Sequence, residues 1–206
     1  MIYKTTYNIF YNNTGQPMNV SKLLLAVTSI IPLISISTLT QASDATLRLS
    51  DDSVHGQVNL SNNASNLDFG AGYMYHEGSR HIINIDLHSK GQTAIGNLPT
   101  TVGVGVQLTG YDVDDFEGGA VGLGGFARLN MPEVPGLSFE GALHYAPSIL
   151  SFSDSEDMTR LRIQANYRLI KTADVFAGYH YLNTDIDGGS DFTLDEGVFV
   201  GMKLMF

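Results

Sequence analysis

The chain contains no cysteine, which excludes a disulfide framework and thiol chemistry. Basic residues are scarce, with 11 Lys+Arg against 21 Asp+Glu in 206 residues and a formal charge of −10. A protein so acidic is a poor partner for nucleic acid, whose phosphates call for a basic surface, and no nucleic-acid partner is expected. From Ala45 onward no amphipathic helical stretch of useful length is found. The GxxxxGK[ST], HExxH, GxSxG and CxxC patterns are absent, and the Gly-x-Gly pairs lie on strand text with no helix following, so they are not nucleotide cradles. No cofactor is expected. Glycine is plentiful at 22 residues but has no G-X-Y period, so each needs a local reason.

The chief apolar run, Leu23 to Ile36, is preceded by Lys22 and followed by Thr40-Gln41-Ala42. It is short for the ~20 residues a membrane-spanning helix needs, and Pro32 interrupts it. It reads as a secretory signal peptide over residues 18–42 with cleavage after Ala42. Residues 1–17 precede what looks like a complete leader and read as an upstream extension from a misassigned start. Residues 43–206 are then the mature domain.

Within that domain hydrophobicity alternates with period two, which is the mark of strands with one apolar face. Ten strands are expected: Ala45–Ser50, Val54–Leu60, Leu67–Tyr75, His81–Ser89, Thr101–Tyr111, Gly119–Asn130, Leu137–Ala146, Thr159–Leu169, Asp174–Leu182 and Gly197–Phe206. Eight is the alternative count. In Arg160–Leu169 the odd positions are Leu161, Ile163, Ala165, Tyr167 and Leu169, while the even ones include Arg160, Arg162 and Arg168. Such a split suits a sheet with lipid on one side and a polar interior on the other. The C-terminal strand repeats it: Val200, Met202, Leu204 and Phe206 form an apolar face ending on an aromatic residue, and are read as the C-terminal assembly signal. The fold class is all-β, a transmembrane antiparallel β-barrel with up-and-down meander topology in the outer membrane.

The polar faces collect Arg48, Asp68, Asp86, Arg128, Glu140, His144, Arg160, Arg162, Arg168, Asp174 and Lys203, a nearly balanced set expected to knit the lumen by ion pairs and hydrogen bonds. Inward glycines, Gly70, Gly103, Gly122 and Gly201 among them, are expected to make room for the arginines opposite. The turns fall into two sets. The set holding 112–118, 148–158 and 183–196 is longer and carries most of the acid, as external loops should; the expected periplasmic set includes 91–99. Tyr73, Tyr75, Tyr145, Tyr179 and Tyr181 lie toward the outer ends of their strands and read as an interfacial aromatic belt.

Two chemical readings compete with plainer ones. His144, with Glu140 and Ser148 nearby in sequence, resembles the Ser and His of lipid A deacylases, but His144 faces inward and Ser148 is in a loop. A His paired in the polar core is the plainer fate, and no catalytic residue is assigned. The segment Asp185 to Asp191 offers oxygens at alternate positions, as a calcium loop would. The full helical EF-hand pattern is not matched, a solvated acidic loop is the plainer reading, and no metal site is assigned.

Four stretches carry a family resemblance: Gly118–Gly125 (GGAVGLGG), Phe139–Pro147 (FEGALHYAP), Ala177–Tyr181 (AGYHY) and Val200–Phe206 (VGMKLMF). In these the chain resembles the YfaZ family of small Gram-negative outer-membrane proteins, over roughly Ala45 to Phe206. The resemblance implies a secreted precursor and an outer-membrane barrel, and supplies no functional residues. The expected function is a structural or surface-interaction barrel acting through acidic external loops. The alternatives are a narrow channel for small solutes and a lipid A-modifying enzyme. Expected partners are outer-membrane lipids and lipopolysaccharide, with barrel assembly machinery and periplasmic chaperones during biogenesis, and the barrel is expected to be a monomer.

Overall fold

The computed structural model describes residues 42–206 except 63, 114–115, 154 and 187–189. The expected leader (18–42, Ala42 apart) and the extension (1–17) lie outside the described residues. Among the described residues eleven strands are formed: β1 Ala42–Ser50, β2 Ser53–Asn62, β3 Leu67–His76, β4 Arg80–Ile95, β5 Leu98–Val113, β6 Phe116–Asn130, β7 Leu137–Ala146, β8 Ser151–Ser153, β9 Ser155–Ile170, β10 Ala173–Ile186 and β11 Ser190–Met205. All pairings are antiparallel. Ten strands close in meander order, with β1 against β11 completing the ring and the three-residue β8 standing apart from it. The protein is a closed ten-stranded up-and-down barrel, as the alternation predicts.

Closure rests on the last strand. Arg48 lies opposite Gly201, and Asp44 opposite Met205. Beyond the strand end, Ser43 and Phe206 exchange backbone hydrogen bonds of 3.2 and 2.9 Å. With every lateral edge paired, no backbone donor need face hydrocarbon. Val200, Met202, Leu204 and Phe206 all point outward. So do Ile163, Val104 and Val198, which keep 53%, 67% and 68% of their surface uncovered by protein. Among the described residues no helix is long and apolar enough to cross a membrane; this chain crosses with strands.

An even strand number brings residues 42–43 and Phe206 to the same end, the periplasmic one. The five tyrosines sit toward the opposite end. Tyr73, Tyr75, Tyr145 and Tyr179 are exposed on the outer wall, and Tyr181 is half-buried there. Three of the hydroxyls meet polar groups: Tyr73 with His81 Nδ1 at 2.6 Å, Tyr145 donating to Asp157 at 3.3 Å, Tyr179 donating to Glu196 at 3.4 Å. A ring against lipid with its hydroxyl toward the polar rim is how an interfacial tyrosine sits.

Several ladders run further than expected. The turn expected at 91–99 is mostly strand: β4 continues to Ile95 and β5 begins at Leu98, joined by the two-residue turn Gly96-Asn97. Gly96 has φ +60°, which a Cβ would resist, and Pro99 is tolerated close to the strand start. At the outer end β9, β10 and β11 extend through much of 155–158 and 183–196, with a bulge between Leu182 and Asn183. Residues expected in acidic external loops therefore lie on ordered ladders. Asp195 faces inward and is 2% exposed. The 147–154 connection also holds structure. β7 stops at Ala146, and β6 beyond Leu123 would lose its partner there; β8 pairs instead with Gly118, Gly119 and Ala120 of β6.

Candidate functional site

The bore is built in three levels. At the periplasmic end lies a cavity of about 260 Å³. Beyond it, toward the outside, the free space shrinks to about 20 Å³ between Arg48, His55, Arg160, His180 and Phe199. Further out an apolar cluster fills the bore: Met74, Ile82, Tyr111, Val113, Ala120, Ala146, Met158, Leu182 and Leu194, all 5% exposed or less, with Phe192 packed against them. The cluster forms because both faces of the outer strand segments are apolar. Ile82 points in where Ile83 points out, so inside and outside are greasy at this level.

The cavity wall is polar. It includes Arg48, Lys90, Arg128, Arg160, Arg162 and Lys203, against Asp44, Asp68, Asp86 and Glu140. Six cations face four carboxylates, opposite in sign to the chain as a whole. Of the sequence-derived set, Arg168 and Asp174 do not reach this wall. They pair with each other, Arg168 Nε to Asp174 Oδ1 at 2.9 Å, near the periplasmic rim, with the arginine side chain half exposed. Arg168 holds the last inward position of β9, where water is within reach of a long side chain.

Two networks organise the remaining groups. In the first, Glu140 on β7 accepts from Arg128 Nε at 2.9 Å and from Arg162 Nη2 at 2.8 Å, so two guanidiniums share one carboxylate. Register explains the meeting: Glu140 lies opposite Arg128 on β6 and Gln164 on β9, and Arg162 is the next inward residue along. In the second, Arg48 Nη2 donates to His55 Nδ1 at 2.5 Å and His55 Nε2 donates to Asn84 Oδ1 at 3.0 Å. The arginine can only donate, which fixes the His55 proton on Nε2. Asn84 then donates to Asp86 at 2.8 Å, and Asp86 also accepts from Gln57 at 3.0 Å and from Gln107. Arg160 Nη1 donates to Gln107 Oε1 at 3.3 Å. Neutral amides thus carry the connection between Asp86 and the arginines.

Lys90 pairs with Asp68 at 2.7 Å. Among the described residues, no carboxylate comes within ion-pair distance of Arg48, Arg160 or Lys203. Arg48 Nε, Arg128 Nη2 and Arg162 Nε are buried with no hydrogen-bond partner.

His144 faces the lumen, with its Nε2 2.8 Å from His88 Nε2. Ser148 opens a single 3-10 turn, Ser148–Leu150, in the outer connection. Near the constriction, buried Asp195 is approached by His180 and by His76 at 3.6 Å, and accepts from Ser53 at 3.3 Å. Ser53 therefore spends its hydroxyl on the carboxylate and not on an imidazole, the opposite of what nucleophile activation needs. Among the described residues no group of three or more His, Asp or Glu is arranged to hold a metal ion.

The charged lumen set read from the sequence leaves out His55, Asn84, Gln107, Lys90 and Asp44. Asn84 falls on a polar strand face, but neutral residues give no charge signal. Lys90 adjoins an expected turn, and Asp44 precedes the expected start of β1. The inward glycines do make room, chiefly for amides and rings: a Cβ on Gly70 would meet Asn59 Oδ1 at 2.7 Å and Asp86 Oδ2 at 2.9 Å, and one on Gly103 would strike the Phe126 ring.

A closed ten-stranded barrel with an apolar outer wall and a charged, hydrogen-bonded interior defines a small integral outer-membrane protein. The chain belongs to the YfaZ family: the family described as YfaZ precursor matches residues 21–206. No curated protein matches the chain. Among solved structures it is similar to the KdgM porin in complex with disordered oligogalacturonate, at 11% identity and TM-score 0.43, covering 80% of this chain and 99% of that one. It is similar to a bacterial polysaccharide outer membrane secretin at 12% identity and TM-score 0.42, covering 82% and 66%. It is also similar to the outer membrane channel DcaP of Acinetobacter baumannii at 11% identity and TM-score 0.38. There the match covers 78% of this chain and 54% of the other, so the chain spans about half the length of DcaP.

Proposed function

We propose that the barrel is a narrow, gated channel for small hydrophilic solutes. The observation that carries this reading is the cavity of about 260 Å³ inside the wall, lined by charged and amide side chains. A barrel of eight to ten strands need hold no such space, since side chains alone can fill it. Lys90 and Asp68, on the inner wall near the periplasmic rim, keep 23% and 21% of their side-chain surface, so water enters the cavity from that mouth. Toward the outside the path meets the apolar collar of Ile82, Met158, Leu182 and Leu194. A collar of this kind blocks ions by excluding water and conducts when it widens. The barrel closes within one chain and works as a monomer, inserted by the barrel assembly machinery with the help of periplasmic chaperones.

The surface-interaction reading draws on the acidic outer rim, but its support is thinner, because Asp195 is turned inward and spent on His180 and Ser53. Planar-bilayer recording tests the channel. Wild type should give small, intermittent steps, and a Leu182→Ser/Leu194→Ser collar variant should give larger and longer ones. Silence from both, in preparations that retain heat-modifiable folded barrel, would leave the channel reading without support.

A further inference from the structure

We propose that the periplasmic cavity is a binding site for small oxyanions, that is, solutes bearing a carboxylate or phosphate group, held by Arg48, Arg128 and Arg162. It takes from the reading above only that the cavity opens to the periplasm.

The argument begins with unmet donors. Arg48 Nε, Arg128 Nη2 and Arg162 Nε are buried, lack partners, and belong to residues lining the cavity. Leaving a buried donor unsatisfied costs free energy, and more where the group is charged. A ligand that accepts from them recovers part of that cost. A guanidinium is a planar fork suited to two oxygens of one carboxylate or phosphate, so the matching chemistry is an oxyanion and not a hydroxyl.

Charge points the same way. Arg128 and Arg162 share the single carboxylate of Glu140, and Arg48 has only neutral partners, His55 and Gln57. Lys203 adds a further cation on the same wall. Two observations keep the site from collapsing onto its own acids. Asp86 accepts from three amides, those of Gln57, Asn84 and Gln107. Asp44 is occupied by Asn59 at 2.7 Å and by Thr46 at 3.3 Å. The carboxylates that could neutralise the arginines are thus held by amides and a hydroxyl. Size limits the ligand: about 260 Å³ is just below the roughly 300–1,000 Å³ of drug-sized pockets, so the solute is small.

The test is isothermal titration calorimetry on the detergent-folded full-length mature barrel at low salt, with inorganic phosphate, succinate and glucose as separate probes. Saturable one-to-one binding of phosphate or succinate, and none of glucose, is expected; whichever binds tighter identifies the preferred oxyanion. Arg48→Gln should weaken binding at least tenfold. Arg168→Gln, altering the rim pair away from the cavity, should leave it within twofold. If Arg48→Gln fails to fold, Lys203→Gln should weaken binding at least threefold in its place. No saturable binding by the folded wild type, equal binding of glucose, or unchanged affinity in every folded cavity variant would overturn the proposal. A barrel that binds phosphate or succinate but never conducts would end the channel reading and leave this one standing. A barrel that conducts but binds neither would do the reverse.

Discussion

Replacing Glu140 by glutamine keeps the shape of the lumen and removes one charge. In the native barrel this carboxylate accepts from Arg128 at 2.9 Å and Arg162 at 2.8 Å, and its own side chain is 9% exposed. The substituted amide could accept one of those bonds through its carbonyl but could neutralise neither arginine. Deleting one partner of a buried ion pair costs about 3–5 kcal/mol because the survivor is left uncompensated. Here the two arginine side chains keep 21% and 25% of their surface, so lumen water repays part of the loss. The net expectation is about 2–4 kcal/mol, below the fully buried range. In a chain of this size about 2–4 °C of melting temperature accompanies each kcal/mol, which gives a drop of roughly 5–15 °C. The assay is the temperature at which the purified barrel loses its heat-modifiable mobility on SDS gels. A companion double variant, Glu140→Gln/Arg128→Gln, should be more stable than the single one, because one stranded charge has gone. A single variant melting within about two degrees of wild type would refute the reasoning: the lumen would then be wet enough that its ion pairs are not part of what holds it.

Three further perturbations probe other levels of the structure. Ile163→Arg puts a charge on the outer wall, where lipid contact costs about 2–4 kcal/mol at mid-membrane, so folding into vesicles should fail or slow sharply; ordinary folding would mean that water, not hydrocarbon, covers this face. Gly201→Ala should cost about 1–3 kcal/mol, since its Cβ would strike the Leu47 carbonyl and the Phe176 ring, whereas Gly56→Ala, with nothing near its Cβ, should be close to neutral; equal melting temperatures would sink the close-packing argument. At the outer tip Asp185 lies between Asp191 and Asp157 on neighbouring strands, and the hydrogen bond with Asp191 leads the causes pushing its carboxyl up to about 6. A carboxyl raised above its unfolded value stabilises at low pH and loses that contribution as pH rises through about 6, so the tip should resist protease better at about pH 5 than at about pH 7.5, and Asp191→Asn should abolish the difference.

How legible the barrel was depended on whether its two faces differed in polarity. Through the middle of each strand they do: Leu161 and Ile163 against Arg160 and Arg162 declare both register and side, and the ten-strand meander follows. At the outer end the contrast disappears. Ile82 and Ile83 are equally apolar, and Met158, Leu182 and Leu194 face inward from stretches that read as loop or loop edge. Period-two analysis has nothing to detect there, so the ladder extensions and the collar escape it together. Conversely, Lys90-Gly91-Gln92 looks like turn chemistry but lies within β4, because a paired strand end outside hydrocarbon tolerates polar residues on both faces. Within the lumen, charge marks Arg48, Arg128, Glu140 and Arg162 without saying which will meet. That depends on rungs such as Glu140 opposite Arg128, which only strand pairing fixes. The amide relay through Asn84 and Gln107 carries no charge to betray it.

The collar has an electrical consequence. A voltage across a series of layers falls mainly over the one that conducts worst, and here that is the stretch between Ile82 and Leu194. Ions in the aqueous chamber below would sense little of an applied field until they reached this barrier, and then nearly all of it, about 2.3 kcal/mol per elementary charge for each 100 mV. With the wet chamber on one side only, currents through an inserted barrel should rectify, and the sign of the rectification should report which way round it went in.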